Sequence, residues 1–139
     1  MVLVDSSVWI EALRRDGRLD VKVALESLLE EYEAAWCGPV KLEVLGGARP
    51  QERQKLESHF ECIPYFQMKD SAWDTAKKMA WQLRDRGCNP PWNDILIATL
   101  SRLAECRVYS IDQQFQQMYE AGAGIILYEA GYGGAYNPN

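Results

Sequence analysis

The sequence predicts an α/β fold: a single doubly wound domain whose central parallel sheet is covered by helices on both faces. Short apolar runs alternate with amphipathic stretches along residues 2–128. No internal repeat, low-complexity run or linker breaks that alternation. The 139 residues suit one domain of ordinary size, and 47% hydrophobic content is enough to fill its core. Residues 1–139 are therefore read as one domain, with 131–139, rich in Gly, Tyr and Asn, set apart as a candidate mobile tail.

Val2-Leu3-Val4 reads as a buried strand ending at Asp5. Ser6 or Ser7 can cap a helix running to about Arg15. Val21, Leu25, Leu28, Leu29 and Tyr32 have the spacing of an amphipathic helix over 21–32. Ala34 to Cys37 is a second strand, and Pro39 and Gly46-Gly47 bracket the helix after it. A helix over 51–60 and a short strand from Glu61 to Tyr65 come next. Trp73, Ala76, Ala80 and Leu83 mark one face of a helix over about 70–86, which Gly87 stops. Pro90-Pro91 keeps the chain extended, and Ile95-Leu96-Ile97-Ala98 opens a helix apolar nearly all round, hence buried. Val108 to Ile111 is a strand, Gln113 opens a short helix, and Gly124 to Tyr128 is the last strand.

Composition narrows the function. No apolar stretch is long enough to cross a bilayer, and the N-terminus has no basic region ahead of its apolar run, so a cytoplasmic location is expected, away from membranes. Cys37, Cys62, Cys88 and Cys106 lack zinc-knuckle or redox-pair spacing, and His59 is the sole histidine, so the thiols read as small core residues. The net charge of -5 weighs against a nucleic-acid partner. That objection weakens if four acids share metal ions, because 15 basic residues then face 16 remaining acids, from 20 Asp+Glu less four.

Four acids stand at chemically telling places. Asp5 ends the first strand, Glu43 lies in the helix after the second, Asp94 begins the buried helix, and Asp112 ends the strand at 108–111. Open parallel sheets bind ligands beyond the carboxyl ends of their strands. Each acid alone has a plainer reading: Asp5 and Asp112 as helix caps, Asp94 as a complement to a helix dipole, Glu43 as a solvated side chain.

The segments around them carry a resemblance. LVDSSVWIEALR, PVKLEVLGG, LRDRGCNPPWNDILIATL and VYSIDQQF resemble, in order and spacing, the successive motifs of PIN-domain ribonucleases. The nearest type is the single-domain toxin of VapBC toxin–antitoxin pairs. The resemblance implies a Mg²⁺- or Mn²⁺-dependent endoribonuclease, a homodimer, and a cognate VapB-type antitoxin that blocks the site. Position by position, Asp5, Glu43, Asp94 and Asp112 match the family's acidic quartet, as catalytic and metal-binding residues for one or two ions. Mg²⁺ prefers hard oxygen ligands, and a divalent ion relieves the mutual repulsion of clustered carboxylates. In-line attack of a metal-activated water on an RNA phosphodiester is the expected chemistry, with no covalent intermediate.

Ser6 and Ser110 flank two of the acids and are candidates to orient ligands or water, though both are also good cap or turn residues. Gln114 stands where the family often carries a further acid, which puts a tightly held second metal in doubt. Pro90-Pro91-Trp92 departs from the pattern; Trp92 is read as a packing residue, with base stacking the other possibility. Arg14, Arg15, Arg84 and Arg86 are candidate RNA phosphate contacts, and Arg14 and Arg84 occur where the family often has arginine. Other readings are a non-toxin PIN nuclease in RNA processing or a non-catalytic PIN-like RNA-binding module. A phosphoacceptor receiver lacks its acceptor at Cys37-Gly38-Pro39, and a halo-acid-type phosphatase lacks Asp-x-Asp at Asp5-Ser6-Ser7.

Overall fold

A computed structural model of the protein describes residues 1–130; the tail proposed over 131–139 lies outside the described residues. β1 (Val2–Val4) leads into α1 (Ser6–Leu13) and α2 (Leu19–Glu30), then β2 (Ala34–Cys37), α3 (Gly38–Val44) and, after a 3₁₀ turn at Pro50–Glu52, α4 (Arg53–Glu61). β3 (Tyr65–Phe66), α5 (Asp70–Asp85), α6 (Trp92–Leu103), β4 (Arg107–Tyr109), α7 (Gln113–Glu120) and β5 (Ile126–Leu127) complete the order. The five strands are all parallel and lie in the order β3-β2-β1-β4-β5, the doubly wound arrangement expected.

β1 is central because its three residues are wholly buried, as an unbroken Val-Leu-Val run requires. It pairs Val2 with Ala34 on one side and with Arg107 on the other. The chain winds outward from β1 to β2 and β3, then returns across the sheet to β4 and β5. Right-handed crossovers then put α1–α4 on one face and α5–α7 on the other. The packed helix pairs agree: α1 with α2 and α3, α6 with α5 and α7. The reversal leaves the topological switch point between β1 and β4, whose carboxyl ends open on the same crevice.

The core carries two indoles with satisfied N–H groups. Trp9 Nε1 donates to the Val4 carbonyl at 3.1 Å, and Trp36 Nε1 to that of Ile63 at 3.1 Å. Phe60 packs between them, ring centres 4.8 Å from Trp9 and 4.4 Å from Trp36. It is the only buried residue of α4, so that helix docks through one side chain. In α6, Ile95, Ile97, Ala98 and Leu100 are buried. The buried hydroxyls of Thr99 and Ser101 donate to the carbonyls of Ile95 (2.7 Å) and Ala98 (2.8 Å).

Several expectations shift. The strand expected at Glu61–Tyr65 lies at Tyr65–Phe66, because α4 runs on to Glu61 and residues 62–64 form the turn that follows. Trp73 marks one face of α5 with Ala76, Ala80 and Leu83 in the sequence, but the buried stripe is Ala72, Ala76, Met79, Ala80 and Leu83, and Trp73 is exposed. Trp92 does not fill the core either, being 64% exposed. Of the thiols, Cys37 and Cys106 are buried, Cys88 is half-buried and Cys62 exposed. As expected, Gly87 ends α5 at φ +77°, with the N–H of Cys88 reaching back to the Leu83 carbonyl at 2.9 Å.

Phe60→Ala should cost about 3–5 kcal/mol of stability through the cavity left between the two indoles. Urea unfolding followed by tryptophan fluorescence will measure it; a loss comparable to a surface substitution would show that α4 docks by other means.

Candidate active site

Asp5 is the pivot of the crevice. It is 3% exposed, directly follows β1, and its backbone N–H continues the sheet ladder onto the Tyr109 carbonyl at 2.9 Å. Its carboxylate accepts from three groups, all at Oδ2: Ser7 N (3.3 Å), Ser7 Oγ (2.7 Å) and Ser110 Oγ (2.9 Å). The first of these caps α1, so the N-cap is Asp5 and not Ser6 or Ser7. The two serine hydroxyls also accept, Ser7 Oγ from the Ile111 N–H (3.2 Å) and Ser110 Oγ from the Asp112 N–H (3.0 Å). They stand 3.2 Å apart, yet each has a single proton, and with both protons on Asp5 neither donates to the other. A carboxylate at the end of β1 is thus laced to the loop after β4, with one oxygen held and Oδ1 left open.

The other acids face the same place. Asp112 caps α7 as Asp5 caps α1, accepting from the Gln114 N–H at 3.0 Å. Glu43, exposed on α3, accepts at Oε1 from Ser6 Oγ (3.2 Å) and from Asn93 Nδ2 (3.3 Å), which ties α3 to the first turns of α1 and α6. Asp94, in the first turn of α6, is 8% exposed. Burial pushes its carboxyl up to about 7, and the negative charges of Asp5, Asp112 and Glu43 push the same way. No Arg or Lys pairs with any of the four acids among the described residues.

The chemistry of this donor set fits a hard divalent cation: oxygen ligands, an excess of negative charge, and a carboxyl that holds its proton for want of a counter-charge. Among the described residues, no three Asp, Glu, His or Cys side chains already converge tightly enough to hold an ion. Capture of a cation therefore requires carboxylates to turn inward, and among the described residues Asp5 Oδ1 and the Asp94 carboxyl have no hydrogen-bond partner to prevent it.

The remaining candidates are dispersed. Ser6 and Ser110 touch acids, Glu43 and Asp5 respectively. Gln114 meets Asp112 through its backbone N–H. Arg14 and Arg15 line a groove of α1, α3 and α4 that Glu43 also borders. The Arg14 guanidinium makes long contacts with Glu11 and Asp16, 3.7 Å each, which hold it weakly. Arg84 places its guanidinium 5.4 Å from the ring centre of Trp92. Arg86 is not brought to the acids: it donates to the carbonyl of Ala121 at 2.6 Å. That puts it at the far end of α7 from Asp112, roughly 12 Å along an eight-residue helix, where a cation neutralises the helix C-terminus. Sequence reasoning missed Ser7 as the closest partner of Asp5, and Asn93 altogether. A polar residue two positions after a strand-end Asp, and an amide beside an acid opening a helix, were the available signals.

An acidic crevice at the switch point of a five-stranded parallel sheet defines a hydrolase type of site. The family model for the PIN domain matches residues 2–121, and the chain belongs to that family. A relative named VapC ribonuclease Mb1587, from Mycobacterium bovis, is 29% identical over 120 residues, 83% of this chain and 89% of its own. Ribonuclease VapC11 of Mycobacterium tuberculosis matches equally, 29% over 120 residues. The fold is shared with FitAcB from Neisseria gonorrhoeae (TM-score 0.72, 18% identity, 93% of this chain and 97% of that one). It is shared too with VapBC2 from Rickettsia felis, solved with a promoter DNA fragment (TM-score 0.73, 16% identity, 91% and 97%).

Without divalent ions, Asp94 should make stability fall as pH rises. Below about 4 its carboxyl is protonated folded and unfolded alike. Between about 4 and the folded value of about 7, only the folded chain keeps the proton, so stability declines through that window and levels off above it. Asp94→Asn should flatten this slope and be the more stable protein at pH 8 in EDTA. Thermal melts across pH check it; parallel curves for the two proteins would refute the strained carboxyl.

Proposed function

We propose that this chain is a Mg²⁺- or Mn²⁺-dependent endoribonuclease that hydrolyses RNA phosphodiesters, the toxin of a type II toxin–antitoxin pair. The observation that carries the reading is the gathering of Asp5, Glu43, Asp94 and Asp112 at the switch point, with no basic partner among the described residues; burial and the other three charges accordingly raise the Asp94 carboxyl. A structural role alone gives no reason to gather four acids at a switch point without a counter-charge. The VapC ribonucleases of the two Mycobacterium species, alike over most of their length, support the substrate class.

In this reading Asp5, Glu43, Asp94 and Asp112 are the catalytic and metal-binding residues, for one ion or two. A bound divalent ion would supply an activated water and a counter-charge for the phosphate. The chain's own residues set up that chemistry. Ser7 and Ser110 fix the orientation of Asp5, and Ser6 and Asn93 that of Glu43. Asp94, protonated near neutrality, loses its proton when positive charge arrives, so activity rises with pH from about 6 to about 8. Arg14 and Arg15, beside Glu43, meet the phosphates that flank the scissile one.

The groove of α1, α3 and α4 encloses about 710 Å³ and has Ile10, Leu13, Val44 and Leu56 among its lining. With Glu43 at its border it suits an amphipathic antitoxin segment ending in a basic residue. The described residues form one domain, which acts as a homodimer. No helix among them is long and apolar enough to cross a membrane.

Asp5→Asn should keep the fold, because the amide oxygen still accepts from Ser7 and Ser110, but lower RNA cleavage by more than about 100-fold, beyond the 10–100-fold typical of losing an outer contact. EDTA should silence the wild type, and Mg²⁺ or Mn²⁺ should restore it. Gel assays on a labelled RNA decide the matter: cleavage surviving chelation, or an Asp5→Asn protein as fast as wild type, removes the proposal.

A further inference from the structure

Three of the five tryptophans are exposed: Trp73 at 55%, Trp81 at 59% and Trp92 at 64%. They share one groove between α5 and α6. On α5 its lining is Trp73, Ala76, Lys77, Ala80, Trp81 and Arg84, a single helical stripe at spacings of three and four. Trp92, Ile95 and Leu96 close it from α6. A contiguous exposed apolar patch on a small protein marks a contact surface.

What it contacts follows from charge and position. The lining holds two cations and no acid, on a chain whose net charge is -5. Lys77 Nζ lies 5.1 Å from the ring centre of Trp81, and the Arg84 guanidinium 5.4 Å from that of Trp92. Lys77 also touches Asp74 at 3.6 Å, an exposed pair that water screens. Aromatic faces interleaved with cations are what single-stranded nucleic acid binds: bases stack, phosphates meet the charges, and the sequence matters little. A protein partner would leave Lys77 and Arg84 to be desolvated or matched by acids of its own. The groove also begins on the helical turn that carries the crevice acid, since Trp92 and Ile95 flank Asn93 and Asp94 in the first turn of α6. From Trp73 to Trp81 the helix rises roughly 12 Å, about the length of three base-stacking steps at ~3.4 Å.

We propose that the Trp73–Trp81–Trp92 groove is a stacking platform for single-stranded RNA that leads the strand into the carboxylate crevice, with Lys77 and Arg84 as its phosphate contacts. This rests on the ribonuclease reading and adds to it the residues that seat the unpaired strand. Duplex RNA cannot offer base faces to the rings, so it binds the groove poorly.

The test uses the full chain carrying Asp5→Asn, so that RNA is bound without being cut, and a fluorescent mixed-sequence single-stranded RNA of about twelve nucleotides. Trp81→Ala and Trp92→Ala should each weaken binding at least about fivefold, the lower end of what loss of one stacked base costs. Trp81→Phe and Trp92→Phe should keep most of the affinity, and Lys77→Gln should make the salt dependence shallower by about 0.7 in log–log slope. The parent should prefer the single strand over a duplex of equal length. Unchanged affinity in both alanine variants, or equal binding of duplex, would overturn the proposal. So would a fall in mass from dimer to monomer in either alanine variant, which would assign the groove to a second copy of the chain. Wild-type protein unable to cut RNA with Mg²⁺ would instead defeat the ribonuclease reading, an outcome that the binding measurements report separately.

Discussion

Carboxylates crowded into one crevice repel each other, and the fold has to hold them there regardless. Strand order does much of this work. Because the chain reverses direction between β1 and β4, the residues after both strands open on one place, and no helix crosses between them. Asp5 and Asp112 arrive there by backbone continuity alone. Glu43 and Asp94 arrive on helices, one from each face of the sheet, and Asn93 bridges α6 to Glu43. Hydrogen bonds to Asp5 and Glu43 come from short side chains, so the negative charge is oriented without being neutralised. A lysine or arginine in place of Ser7 or Asn93 would stabilise the cluster and leave little reason for a cation to bind.

Much of this was legible in the sequence for reasons that can be named. A wholly buried parallel strand must be continuously apolar, so Val2-Leu3-Val4 announced the centre of the sheet, and Asp5 after it announced the crevice. Gly87 announced the end of α5 because the backbone there turns left-handed. The quartet could be proposed only through resemblance, since Asp5 and Asp112 do cap helices and that role explains each residue by itself.

Other features were out of reach. Periodicity places apolar residues on a face but does not say whether anything covers it, so Trp73 shares a face with Ala76 and Ala80 in the sequence and is nevertheless exposed. Trp92 was misplaced for a related reason: bulk and hydrophobicity suggest packing, whereas its surroundings on α6 decide exposure. The slip of β3 from 61–65 to Tyr65–Phe66 reflects a helix that runs one residue past its expected end and a turn at 62–64, with Phe60 held between Trp9 and Trp36. Arg86 illustrates the limit for charged residues, because only tertiary structure brings the Ala121 carbonyl within its reach.

That Asp5 and Asp112 serve as helix caps has an evolutionary corollary. A lineage drifting toward a silent version of this protein cannot discard these acids for any small residue without also fraying the first turn of α1 or α7, at a cost of about 0.5–2 kcal/mol each. Asparagine and serine keep an acceptor and lose the charge. Decayed copies that still accumulate in the cell should therefore carry amides or hydroxyls at these positions, while those with alanine or valine there should vanish through turnover rather than persist as inert protein.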